Sequence, residues 1–76
     1  MATHPKRSAA VAMVVARNIR RFREARGESQ LGFAKRTGLD RSRLNVWEKG
    51  TRTPTLASLQ RIADGLEVKI WELLRD

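Results

Sequence analysis

A chain of 76 residues without cysteine has the length of one small domain and excludes disulfides and thiolate metal sites. Sixteen Lys/Arg against eight Asp/Glu leave a formal charge of +8, which favours a polyanionic partner. The lone histidine, His4, sits near the start, and neither a nucleophile-and-base pair nor a glycine-rich phosphate loop occurs, so the composition points away from an enzyme.

The expectation is therefore a complete, non-enzymatic protein with no metal, no cofactor and no small-molecule ligand. A domain this small buries only about 60% of its unfolded surface, so dimerisation would help its stability. The charge is uneven. Residues 1–26 carry seven Lys/Arg against one Glu, residues 27–53 six against three, and residues 54–76 three against four. The basic surface is thus expected on the first two thirds of the chain.

Residues 1–7 show no periodicity and read as a disordered N-terminal arm. Two roles stay open for it: a plain end, or a basic arm whose Lys6 and Arg7 reach the DNA backbone or a minor groove. Residues 8–26 read as a long first helix that Ser8 can cap. Val11, Val15, Ile19 and Phe22 recur at helical spacing, with Arg17, Arg20, Arg21 and Arg23 on the other sides. The apolar run of residues 9–16 is too short to span a bilayer, which takes about 20 residues. Its stripe continues in register through Ile19 and Phe22, which argues against a cleaved leader. Gly27 ends this helix.

Residues 29–50 read as two short helices joined by a tight turn. Ser29 and Asp40 supply side-chain oxygens for the free N–H groups at the two helix starts, and Gly38 and Gly50 fall where the helices must stop. Phe33, Ala34, Leu44 and Trp47 are the apolar positions that join these helices to each other and to a core. This is the layout of a helix-turn-helix that places its second helix in the DNA major groove. At about 100° per residue, Leu44 and Trp47 point inward, while Ser42, Asn45, Val46 and Lys49 lie opposite and Arg41 and Arg43 flank them. Arginine can bond bidentately to guanine, asparagine to adenine, and valine can meet a thymine methyl. Gln30 is placed to bond a phosphate, as is Ser29. Lys35 and Arg36 serve either solubility or DNA contact.

After a turn carrying Arg52, Pro54 is expected to open a fourth helix, where its missing N–H costs nothing. Leu56, Leu59, Ile62, Ala63 and Leu66 form its core stripe, with Gly65 near its end. Residues 68–74 read as a short fifth helix, in which Val68, Ile70, Leu73 and Leu74 can fill the core. Trp71 is left over and is expected to be partly exposed at a subunit contact, beside Leu74, with the long first helix as the alternative dimer surface.

With these residues in place the chain resembles the lambda-repressor/Cro-like (XRE-type) helix-turn-helix family over residues 15–75. The resemblance is carried by Ile19-Arg-Arg-Phe-Arg-Glu-Ala-Arg-Gly, Ser29-Gln, Phe33-Ala, Gly38, Leu44, Trp47-Glu-Lys-Gly, Arg52-Thr-Pro-Thr-Leu, Leu59, Ile62-Ala and Trp71-Glu-Leu-Leu. It implies an all-α fold of five helices, here with an extended first helix, and a homodimer on a partly palindromic double-stranded DNA operator. It also implies a paired Arg23 and Glu48, base reading at Arg41, Ser42, Asn45 and Val46 with Arg43 beside them, and phosphate contacts near Gln30, Lys49 and Arg52.

Leu39-Asp-Arg-Ser, Trp47-Glu-Lys-Gly and Arg52-Thr-Pro-Thr-Leu are most similar to the controller proteins of restriction–modification systems, except that Arg43 stands where a tyrosine is expected. Leu31, Gly32 and Glu28 also depart from the family pattern. Gly32 weakens its helix by roughly 1 kcal/mol relative to alanine and removes the capping-box partner of Ser29. The expected role is a transcriptional regulator, cytoplasmic and nucleoid-associated in a prokaryote, with no membrane contact. The alternatives are an antitoxin of the same fold, whose main partner is a protein, and a non-specific nucleic-acid binder. For an antitoxin only the 18-residue N-terminal extension is available, since two residues follow Leu74.

Overall fold

The computed structural model describes residues 5–76, with side chains from residue 10 onward. The described residues form five helices and no strand: α1 Pro5–Ala25, α2 Gln30–Thr37, α3 Arg41–Lys49, α4 Leu56–Leu66 and α5 Ile70–Leu74. The all-α, five-helix architecture with a long first helix is the one expected. α1 lies against α3 and α5, α2 packs on α3 and α4, and α4 meets α5. Val15, Ile19, Phe33, Leu44, Ile62 and Leu73 are wholly buried at the centre, each worth about 1.5–3 kcal/mol of apolar burial.

The helix boundaries follow local chemistry. Ser29 Oγ accepts from Gly32 N–H at 3.0 Å and Asp40 Oδ2 from Arg43 N–H at 3.1 Å, so each cap satisfies a donor that its helix leaves free. Gly38 and Gly50 end α2 and α3 at φ of 74° and 80°, where a Cβ would be strained. Gly50 has a second reason to be glycine, because a Cβ there would collide with Met13 Sδ of α1.

Several expectations are corrected. α1 begins at Pro5 rather than Ser8. Proline suits a helix start because its absent N–H would be unpaired there anyway. Lys6 and Arg7 thus belong to a helix, and the rest of the expected arm, including His4, lies outside the described residues. The buried stripe of α1 is Ala12, Val15, Ala16 and Ile19, while Val11 is 44% exposed and Phe22 half-buried. Two alanines, Ala12 and Ala16, turn inward there and Val11 does not.

Pro54 does not open α4. It is buried just before Thr55, whose Oγ1 accepts from Ser58 N–H at 3.2 Å and caps the helix. Leu56, expected in the core, is 74% exposed. Helical side chains lean toward the N-terminus, so that of the first residue projects past the helix end. α5 starts at Ile70 rather than Val68, because Val68 N–H is used to close α4 by donating to Ala63 O at 3.0 Å. Glu67 takes the left-handed position there, and Gly65 lies near the helix end as expected. Gly65 also admits α2, since a Cβ on it would lie 2.5 Å from Thr37 Cγ2. Leu74 is 46% exposed and does not fill the core.

Candidate nucleic-acid interface

The face of α3 is set by which residues hold it down. Leu44, Trp47 and Glu48 are buried, which leaves Arg41, Ser42, Arg43 and Lys49 exposed and Asn45 and Val46 half-buried. One shallow depression beside this face is lined by Gln30, Arg41, Ser42 and Asn45. A second includes Arg43, Val46, Arg52, Thr53 and Ser58 among its lining residues. The five residues expected to read bases therefore form one continuous strip flanked by α2 on one side and the α3–α4 loop on the other.

The orientation of the strip is locked by charge. Arg23 Nε donates to Glu48 Oε2 at 2.8 Å and Arg23 Nη2 to Glu48 Oε1 at 2.9 Å, with 9% and 1% of the two side chains exposed. Arg23 Nη1 also donates to Glu28 O at 2.6 Å. The hydrogen bond to Glu48 raises the guanidinium pKa above its ordinary value against the opposing effect of burial. Gln30 Nε2 then donates to Glu48 Oε1 at 3.1 Å and to Asn45 Oδ1 at 3.4 Å. Its side-chain donors thus serve α3, while its backbone N–H belongs to the first turn of α2.

Lys35, Arg41, Arg43, Lys49 and Arg52 are exposed and make no ion pair with the described residues. Ser29 is exposed at the start of α2, where its hydroxyl oxygen accepts from Gly32 N–H and its hydroxyl donates to none of the described residues. Arg36 is different. Its guanidinium grips Glu28 at 2.6 and 2.8 Å and donates to Gly65 O at 2.7 Å, so it ties α2 to the preceding loop and to α4. The Arg36 hydrogen bond holds the Glu28 carboxyl below its ordinary pKa.

Trp71 and Leu74, expected at a subunit contact, are 56% and 46% exposed on one side of α5, with the Arg75 guanidinium 5.6 Å from the Trp71 ring centroid. Sequence reasoning missed the Glu28 bridge and Asn18. The Asn18 amide is buried and donates to Leu73 O at 3.0 Å and Arg75 O at 2.8 Å, which fixes the end of α5 to α1. The available sign was its spacing: Asn18 lies three residues after Val15 on the packed side of α1.

A helix-turn-helix family model matches residues 19–73 of this chain. The chain belongs to that family. It is 44% identical over 57 residues to the uncharacterized HTH-type transcriptional regulator YazB of Bacillus subtilis (strain 168), a match spanning 75% of this chain and 83% of that protein. Among solved structures, the restriction-modification controller protein C.AhdI from Aeromonas hydrophila is similar at 33% identity and a TM-score of 0.78, covering 84% of this chain and 97% of that one. The hypothetical transcription factor NHTF from Neisseria is similar at 32% identity and a TM-score of 0.80, over 86% and 75% of the two chains. The family member described here is a transcriptional regulator with a helix-turn-helix DNA-binding domain, not an enzyme. Among the described residues no helix is long and apolar enough to cross a membrane.

Proposed function

We propose that this regulator acts as a homodimer on a partly palindromic operator, as a controller-type regulator of restriction–modification genes. The observation that carries the DNA-reading assignment is the outward strip of Arg41, Ser42, Arg43, Asn45 and Val46, bordered by cations that make no ion pair with the described residues. The strip reads base edges. Ser29, Lys35, Lys49, Arg52 and the backbone N–H of Gln30 meet phosphates and supply salt-dependent affinity. Trp71 and Leu74 form the subunit contact, which sets each α3 into successive major grooves about 34 Å apart or a multiple of that. The controller assignment is supported by the likeness to C.AhdI, which extends over 97% of that chain.

Selection of random duplexes by the purified protein at about 150 mM salt, where non-specific binding is suppressed, tests the reading. The expected result is an enriched inverted repeat. A folded protein that enriches no sequence overturns it. A gene for an endonuclease or methyltransferase beside this one is the expected neighbour, whereas a toxin gene would replace the controller role with that of an antitoxin.

A further inference from the structure

Trp71 and Leu74 are too little surface to hold two copies together. At 56% and 46% exposed they offer roughly 250 Å² between them, whereas a stable interface takes about 800 Å² from each partner. The contact must extend beyond them, and α1 supplies the extension. α5 lies antiparallel along α1. Arg26 Nη1 donates to Glu67 Oε1 at 3.0 Å just ahead of α5, and Asn18 Nδ2 donates to Leu73 O and Arg75 O at 3.0 and 2.8 Å at its end. Arg17 Nη2 reaches Asp76 Oδ1 at 3.5 Å. Toward its own N-terminus α1 therefore runs on past the end of α5. Val14 and Val11 stand one and two turns before Asn18, within about 40° of its direction on the helix. Val14 is half-buried and Val11 is 44% exposed. Leu74 sits between the two residues whose carbonyls Asn18 binds, so the valines continue the apolar surface that Trp71 and Leu74 begin. The other exposed large apolar residues lie elsewhere. Met13 is on the side of α1 that meets Gly50, Leu31 is at the start of α2, and Leu56 is at the end of α4 remote from α5.

We propose that Trp71, Leu74, Val14 and Val11 form one interface and that its occupant is a second copy of this chain. α5 and the long first helix, the two dimer surfaces open from the sequence, are then parts of a single patch. A twofold interface uses the same patch on both subunits, so an axis through the middle of an elongated patch sets its ends against each other. Val11 of one subunit covers the partner's Trp71, with Val14 and Leu74 near the axis. This inference rests on the homodimer proposed above and adds α1 to its contact.

Sedimentation equilibrium of variants first shown to melt cooperatively tests it. Val11→Glu, which buries an unpaired charge in the contact, is expected to weaken self-association about tenfold or more. Val11→Ser is expected to weaken it less but measurably, and decides the matter if Val11→Glu does not fold. Leu56→Glu, the same change away from the patch, is expected to alter it less than about twofold. Val11→Ala and Trp71→Ala combined should lose less than the product of their separate effects, as residues in contact do. Wild-type association in both Val11→Glu and Val11→Ser, an equal loss in Leu56→Glu, or a full product in the combined variant overturns the inference and leaves the Trp71 contact standing. A wild-type protein that stays monomeric, alone and on its selected operator, overturns both.

Discussion

Arg23 and Glu48 join the first and third helices through two parallel hydrogen bonds of 2.8 and 2.9 Å, both side chains almost fully withdrawn from water. Removing one partner strands the other charge in the interior, which typically costs about 3–5 kcal/mol. Against a total stability of about 5–15 kcal/mol for a folded domain, Glu48→Ala is expected to leave the protein marginal. The urea midpoints of Glu48→Ala, Arg23→Ala and the double variant Arg23→Met/Glu48→Leu provide the check. The double variant should lie closer to wild type than either single one, because no buried charge is left behind.

The two glycines that close α2 and α3 should respond differently to alanine. Gly38 has open space around the position a Cβ would take, so Gly38→Ala should cost only the strain of a left-handed residue, about 1–2 kcal/mol. Gly50→Ala carries the same strain and also strikes Met13, so its cost should be larger. Thermal melts of Gly50→Ala with and without Met13→Ala separate the two contributions. Recovery of part of the loss in the pair is the expected outcome.

Glu28 makes the stability pH-dependent. Its carboxyl is held below the usual 4.5, chiefly by the Arg36 hydrogen bond, so the folded state keeps it ionised where the unfolded chain would protonate it. The resulting stabilisation is complete above the ordinary glutamate range and fades as pH falls through the lowered folded value. Glu28→Gln should therefore lower the melting temperature at pH 7 and make progressively less difference as the pH falls below the ordinary glutamate range. A gap between wild type and variant that stays constant with pH would contradict this.

Arg41 and Lys49 should fail in distinct ways on DNA. Arg41→Ala is expected to cost about 1–3 kcal/mol at one base pair and to relax the preference there. Lys49→Ala should weaken all duplexes alike and reduce the dependence of log K on log salt by roughly one unit of slope. Titrations of the selected operator and a scrambled duplex over a range of salt distinguish them. A uniform loss in Arg41→Ala would place that guanidinium on phosphate.

Trp71 is the expected anchor between subunits. Because more than half of its surface is exposed in the monomer, Trp71→Ala should leave the melting of the isolated fold nearly unchanged. It should instead weaken self-association by about 2 kcal/mol or more, roughly thirtyfold, as for other central aromatic contacts. Sedimentation equilibrium measures that directly, and an unchanged association constant would move the interface elsewhere.

Local chemistry made much of this protein legible from its sequence. Ser29, Asp40, Gly38 and Gly50 marked the limits of α2 and α3 because caps and left-handed stops act over a few residues. The spacing of Leu44 and Trp47 was enough to orient α3. The Arg23–Glu48 pair came from the family resemblance and was met in the structure. What tertiary structure decided were matters of neighbours. Leu56 keeps its helical phase yet stays outside, because its side chain projects past the helix end. Val11 stays outside while Ala12, one residue on, is buried. Glu28 and Arg36 were assigned no mutual role, since eight residues separate them and only the packing of α2 joins them. Asn45 could be placed on the outward face of α3 from periodicity alone. Its hydrogen bond from Gln30, which also bonds the buried carboxylate of Glu48, depends on the packing of α2 against α3. Periodicity fixes the direction of a side chain, but the partners that orient its polar atoms come from other helices.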